Sequence, residues 1–303
     1  MEYKTMTPKY IDINDWVLAG EGGNGQVYYH KSDDGIILKL NRVDMAKDRV
    51  EREFVMSKAV YDSGIPCPQV YDYVTDGARI GMTAQRIKDK KSFARMISED
   101  KSQLDALAKE FAQRSKAFHA TPCDPSKIQN FKDWARSLYG SCDALSEEAK
   151  KILNSYLDDM SDVVAPLHGD FQPGNIIRAG GRDYWIDLGD VTYGDPDLDM
   201  ASLLVLTKYT PSRYVKYLFH ISRKEMERFV EVYGKEYYGS RWHSRELDEK
   251  LDKVLCLRMG MSMVSNPRSA IMFMPYILGK RFKANLIFKL IDLLLTERHF
   301  RKR

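Results

Sequence analysis

After Gly25 the chain reads QVYYHKSDDGIILKL, and this run constrains the fold more than any other. A β-rich segment, Val27–His30, and a second, Ile36–Leu40, flank an Asp-Gly pair at Asp34 and Gly35, the pattern of a β-hairpin. Just before it, Gly20 to Val27 reads GEGGNGQV, with the spacing G-x-G-x-x-G-x-V. That spacing fits two unrelated phosphate-holding devices. In a dinucleotide fold the glycines follow a strand and open a helix whose N-terminus holds a pyrophosphate. In the other they turn a hairpin that lies over nucleotide phosphates. Glycines also gather in ordinary turns, because they reach positive φ without a Cβ clash, so the motif alone decides nothing. A dinucleotide unit needs roughly ten residues of helical periodicity after the glycines, and none follows Gly25. The loop therefore belongs to a hairpin, and Lys39 falls on the strand after it.

A chain of 303 residues has room for two cores, and two lobes are expected. With 44% hydrophobic and 30% charged residues, it falls with globular proteins and not with disordered or membrane ones. The opening MEYKTMTPKY lacks the apolar core of a signal peptide. The longest apolar stretch, near Asn285 to Leu295, is broken by Lys289 and Asp292 and is too short and charged to span a bilayer. Cys67, Cys123, Cys142 and Cys256 are scattered, which suggests neither a metal knuckle nor a disulfide framework, and points to a reducing cytoplasm. The oligomeric state is not readable, and neither a nucleic acid nor a membrane is expected as a partner.

Short β-rich runs alternate with one helix from about Ile11 to Ile87, and helical periodicity dominates from about Ser92. This divides the chain into a β-rich lobe, 1–88, and a helical lobe, 89–303. In the first, Val50, Phe54 and Ala59 or Val60 mark a helix over Asp44–Asp62, stopped by Gly64, Pro66 and Pro68. Strands follow at Gln69–Val74 and Arg79–Arg86. In the second, Leu104, Leu107, Phe111 and Phe118 form a helical stripe that reads as core packing. Further helices are expected at Ser146–Met160, Asp197–Lys208, Arg223–Tyr238, Arg245–Met261 and Ile271–Arg298.

Residues 166 to 190, PLHGDFQPGNIIRAGGRDYWIDLGD, concentrate polar groups between two short strands, Asn175–Arg178 and Tyr184–Ile186, joined by a Gly-Gly turn. Asp170 is suited to accept a hydroxyl proton. Asn175, five positions on, and Asp187, at the end of the next strand, offer the oxygen ligands that Mg²⁺ requires. Asp and Asn are common in any Gly/Pro-rich loop. It is the combination of H-G-D-x-x-x-x-N, a strand ending in I-D, an upstream glycine hairpin and a strand lysine that points to phosphoryl transfer. His168 reads as a brace for the loop, and Asp190 as either a metal or substrate contact or a turn cap.

Over these motifs the chain resembles the aminoglycoside phosphotransferase and choline kinase family, small-molecule kinases with a protein-kinase-like fold. The likeness runs from the glycine loop to the helix after Asp187 and is sharpest over LHGDFQPGNII; FHATP at Phe118–Pro122 and GDPDLDMASLL at Gly194–Leu204 are also similar to family sequences. The resemblance implies an α+β, two-lobed fold with ATP and Mg²⁺ as cofactors. It implies that Asp170 is the catalytic base, that Asn175 and Asp187 hold Mg²⁺, and that Lys39 holds the α and β phosphates while pairing with Glu53. Gly20, Gly22, Gly25 and Val27 would form the phosphate loop. Adenine would lie against the segment after the Arg79–Arg86 strand, at Gln85 and Ile87.

Only about ten residues separate Asp187 from the next expected helix, too few for a peptide-binding segment, so a small hydroxyl compound is the expected acceptor. From Lys208 onward there are roughly twenty Lys and Arg against about ten Asp and Glu, within a chain of net charge +4. That basic third, with its tail LTERHFRKR, is either a solvated face or a surface for anions, and it argues against a polycationic aminoglycoside. Asp195, Asp197 and Asp199 are the local carboxylates that would argue the other way. A nucleotide-binding regulatory module without turnover and a protein Ser/Thr kinase remain as alternatives.

Overall fold

The computed structural model describes residues 6–22 and 25–300, with side chains as far as residue 292. The N-terminal part contains β1 (Lys9–Tyr10), β2 (Trp16–Gly22), β3 (Gly25–His30), β4 (Ile36–Asn41), the helix α1 (Lys47–Asp62), β5 (Val70–Thr75) and β6 (Ile80–Gln85). They form one six-stranded sheet in the order β1-β5-β6-β4-β3-β2, antiparallel except for β1 on β5. The expected hairpin is the β3–β4 pair.

Because side chains alternate across a strand, β4 serves two layers at once. Leu38 and Leu40 turn to one face and pack with Tyr28 and Val74. The opposite face, with Ile37, Tyr73, Met82 and Ala84, is covered by Val50 and Phe54, one turn apart on α1. Lys39, between Leu38 and Leu40, must therefore point to the face that α1 covers. The helix ends at Ser63, and Gly64 follows at φ 82°.

Residues 86–90 lead to β7 (Lys91–Ser92), then α2 (Phe93–Glu99), α3 (Leu104–Ala120), α4 (Phe131–Gly140), α5 (Glu147–Asp158), β8 (Ala165–Leu167), β9 (Ile176–Ala179), β10 (Arg182–Trp185) and β11 (Thr192–Gly194). The remainder is helical: α6 (Asp197–Lys208), α7 (Ser212–Phe219), α8 (Arg223–Tyr238), α9 (Arg245–Ser265), α10 (Ala270–Ile277) and α11 (Arg281–Phe300). Two small sheets lie among these helices, β10-β9-β7 and β11-β8. The β9–β10 hairpin closes on Gly180 and Gly181, both at positive φ, as a two-residue turn of matching twist requires. Phe111 of α3 sits at the centre of the core, with the rings of Phe171, Trp185, Phe229 and Tyr233 at 4.7, 5.5, 5.5 and 5.6 Å. The α3 stripe is thus core packing, as its pattern indicates.

Two expectations change. The single helix expected over Ile271–Arg298 is two, α10 and α11, because Gly279 at φ 74° ends the first and redirects the chain. Pro275 already lacks the N–H that would continue the ladder, and its carbonyl instead accepts from Lys280 at 2.7 Å. Second, α2, α4 and α7 have no counterpart in the periodicity reading, though two carry start signals: Ser92 caps α2 through Arg95 N–H, and Asn130 caps α4 through Lys132 and Asp133 N–H. Among the described residues no helix is long and apolar enough to cross a membrane. The first five residues and the last three of the basic tail lie outside the described residues.

Candidate active site

Lys39 projects from β4 beneath α1, where Glu53 meets it: the ammonium donates to Glu53 Oε1 and stands 3.9 Å from Asp187 Oδ1. Neighbouring Arg52 ties the same helix to the chain after Asp187. Its Nε donates to Gly189 O and its Nη2 to Val191 O, both at 3.0 Å, and its guanidinium lies 4.6 Å from the Trp134 ring centre. The Lys39–Glu53 pair is mostly shielded, whereas the Asp187 side chain is 60% exposed. Asp187 also adopts a left-handed backbone, φ 57° and ψ 56°, which is uncommon outside glycine and recurs where a fold must aim a functional group.

The glycine motif runs from β2 into β3; residues 23 and 24 between them lie outside the described residues. Val27 is the cross-strand partner of Lys39. The three motif glycines are not equivalent. A Cβ on Gly25 would come within 2.2 Å of Leu40 O, so close strand packing demands glycine there. Among the described residues a Cβ on Gly20 would meet nothing within 4 Å and one on Gly22 only Gly25 O at 4.0 Å, so packing against those residues does not demand glycine there. At the other end of the sheet, the N–H groups of Gln85 and Arg86 are already bonded, to Gln69 O and Gly35 O. Of the two residues named for adenine, Ile87 is therefore the one with an N–H to offer, and Gln85 has its carbonyl.

Between β8 and β9 the loop 168–175 is held from below. Asp199, at the start of α6, accepts the N–H of His168 at 2.7 Å and of Gly169 at 2.9 Å, and its Oδ2 also faces His119 Nε2 at 3.1 Å. Burial works against the charge of Asp199, but the His119 hydrogen bond and charge, with the His168 contacts, outweigh it and hold the carboxyl below its ordinary pKa. His168 is fully buried and donates from Nε2 to Ile186 O at 3.0 Å, which makes it a brace. Gly169 sits at φ 80°, and a Cβ there would lie 2.3 Å from Asp190 O, so the loop closes on the Asp190 backbone only with glycine. Asn175 donates its amide to Asp170 O and Oδ2 at 2.8 and 2.9 Å, fixing the Asp170 carboxylate.

Asp170 lines two hollows. A smaller one, of about 130 Å³, is shared with Lys39, Glu53, Asp187, Asp190 and Arg49. A larger one, of about 580 Å³, has Asn175, Gln172, Ser202, Arg95 and Arg258 in its wall. Arg258 reaches in from α9, donating to Gly169 O at 2.8 Å with Nη2 3.9 Å from Asp170 Oδ1. The three carboxylates considered as acceptor contacts do not serve this hollow. All are buried and occupied internally: Asp195 by Ser161 and Lys250, Asp197 by Lys250 and Tyr238, Asp199 by the loop. Of the lysines and arginines beyond residue 208, Arg258 alone is in the wall among the described residues, so most of the basic third faces elsewhere.

The model of the phosphotransferase enzyme family matches residues 15–243, most of the chain. The chain belongs to that family. No curated protein matches it in sequence. Among solved structures, a thermostable mutant of aminoglycoside phosphotransferase APH(4)-Ia superposes with a TM-score of 0.60 at 16% identity, over 88% of this chain and 93% of that one. The streptomycin–ATP–APH(2")-IIa ternary complex gives 0.56 at 18%, over 88% and 91%. A choline/ethanolamine kinase family protein from Mesorhizobium loti gives 0.51 at 16%, over 89% and 88%. The fold is thus the kinase-like one that the motifs imply, and a small-molecule phosphotransferase is the general class.

Among the described residues of this phosphotransferase family member, no three His, Cys, Asp or Glu side chains cluster as a ready-made metal cage. The donors present, Asn175 Oδ1 and the exposed Asp187 carboxylate, nonetheless fit Mg²⁺, which takes one or two protein oxygens and completes its shell with phosphate and water. Three contributors escaped the sequence reading. Arg258 lies 89 positions from its partner Gly169 with no local motif to mark it. Arg52 stands in the ERE run beside Glu53, and the third is the pairing of His119, within FHATP, with Asp199, a carboxylate expected near the acceptor and found instead beneath the loop.

Proposed function

We propose that the chain transfers the γ-phosphate of ATP to the hydroxyl of a small molecule, with Asp170 as the base. The observation that carries this reading is the position of Asp170, shared between the Lys39–Asp187 hollow and the larger one across the loop. Phosphoryl transfer needs alignment and charge neutralisation more than covalent chemistry, and a carboxylate between donor and acceptor sites supplies the alignment. Lys39, oriented by Glu53, holds the α and β phosphates under the glycine loop. Asn175 and Asp187 would hold Mg²⁺, whose charge, when bound, would offset that of the phosphates. The acceptor hydroxyl donates its proton to Asp170 as its oxygen bonds to the γ phosphorus; the bond from that phosphorus to the β–γ bridging oxygen breaks, and ADP leaves.

A small acceptor is favoured over a peptide because the chain from Asp187 to α6 is drawn into the fold, β11 pairing with β8 and Arg52 gripping Gly189 and Val191. A polycation is disfavoured by the arginines in the acceptor wall. The test is ADP release from Mg·ATP against a panel of small alcohols, sugars and aminoglycosides. Turnover with at least one compound carrying no more than one positive charge is expected, with kanamycin-like compounds poor. ATP binding without turnover for any acceptor would favour a regulatory module. Aminoglycoside specificity constants of about 10⁴ M⁻¹s⁻¹ or more would contradict the acceptor reading.

A further inference from the structure

We infer that the acceptor carries an anionic group, a carboxylate or a phosphate, bound by Arg258 in the larger hollow while its hydroxyl meets Asp170; this rests on the phosphotransfer reading above. Arg258 is placed for such a task and little used by the fold. Among the described residues one N–H of its five is bonded, to Gly169 O, and this bond sets the guanidinium in the wall of the hollow. Its 3.9 Å separation from Asp170 Oδ1 is too long for a hydrogen bond, so Asp170 does not consume the remaining donors. A planar guanidinium with free donors matches a carboxylate or phosphate edge with two parallel hydrogen bonds.

The rest of the wall agrees in sign. Arg95 of α2 brings a second positive charge to the same hollow, and the His220 ring, just past α7, borders it as well. Arg95 is partly balanced by Glu99, whose Oε1 accepts from its Nε at 2.8 Å. Ser92, Ser202, Ser262 and Gln172 add neutral polar groups, and Asp170 is the only carboxylate among the described lining residues. A polyamine entering here would meet Arg258 with no second carboxylate to offset it, which is how a site rejects the wrong charge. The short Arg258–Asp170 separation also limits the ligand: anion and reacting hydroxyl belong on neighbouring or next-but-one carbons.

Four matched three-carbon probes test this: glycerate, glycerol 3-phosphate, glycerol and 3-amino-1,2-propanediol, titrated by calorimetry into the wild-type chain saturated with Mg·AMP-PNP. At least one anion should bind tenfold or more tighter than glycerol, and the amine no tighter than glycerol. Which anion binds distinguishes carboxylate from phosphate. Arg258→Gln should weaken that anion by about 10- to 100-fold, the usual value of hydrogen bonds to a charged group, with AMP-PNP affinity unchanged within a few-fold; Arg258→Lys should restore part of the loss. Equal binding of all four probes, preference for the amine, or an anion preference that survives in Arg258→Gln would overturn the inference. The wild-type comparison decides alone if a variant fails to fold. Failure of Mg·AMP-PNP itself to bind would instead remove the phosphotransfer reading, and this inference with it.

Discussion

Asp199→Ala should damage the molecule more than any single surface contact would, and the structure says by how much. The carboxylate serves three donors: the His168 and Gly169 N–H groups and His119 Nε2. Removing it leaves all three without their acceptor. A buried donor left without its acceptor costs about 1–3 kcal/mol. Gly169 is half-buried and within reach of water, but His168 and His119 are buried, so two orphaned donors should together cost about 2–6 kcal/mol. Urea unfolding of wild type and variant measures it directly. The pH dependence gives a second signature. The folded-state pKa of Asp199 is depressed, so its contribution is present above the usual carboxylate value of 3.8 and is lost as pH falls through the lower folded value. The gap between wild type and variant should therefore narrow in acid below that value. A loss under about 1 kcal/mol, below the cost of two orphaned buried donors, or a gap that widens in acid, would refute the assignment of Asp199 as the anchor of the loop.

Gly25→Ala should destabilise the chain by about 1–3 kcal/mol, the usual cost of overpacking, because its Cβ would press on Leu40 O, while Gly20→Ala, in open space, should leave stability within about 0.5 kcal/mol; paired unfolding curves check both. Asp187→Ala should weaken nucleotide binding in the presence of Mg²⁺ and leave the weaker metal-free binding nearly unchanged, as titrations with and without the ion would show.

Much of the site was legible because its signals are local. Turn residues at Asp34 and Gly35 fixed the hairpin, and strand alternation then determined which way Lys39 points. The spacing from His168 to Asn175 describes one tight loop, so Asp170 and Asn175 come together whatever the rest does. What was not legible depends on distant parts of the chain. Nothing near Arg258 in the helical pattern of α9 marks it as a neighbour of Asp170. The carboxylates of Asp195, Asp197 and Asp199 look in sequence like an acidic surface, and only tertiary contacts with Lys250, Ser161, Tyr238 and His119 turn them inward. The break between α10 and α11 was masked by apolar periodicity that continues on both sides of Gly279, and the short α2, α4 and α7 offer too few turns for a period to show.

Whether Asp170 acts as the base is decided by comparing wild type with Asp170→Asn, using an acceptor found in the screen and following ADP and phosphorylated product together. Asparagine keeps the shape of the side chain but cannot take the hydroxyl proton. Transfer should fall by about 10²- to 10⁴-fold, as for loss of a general base, with Mg·ATP affinity within a few-fold of wild type. Transfer within a few-fold of wild type, or a parallel collapse of nucleotide binding, would contradict it.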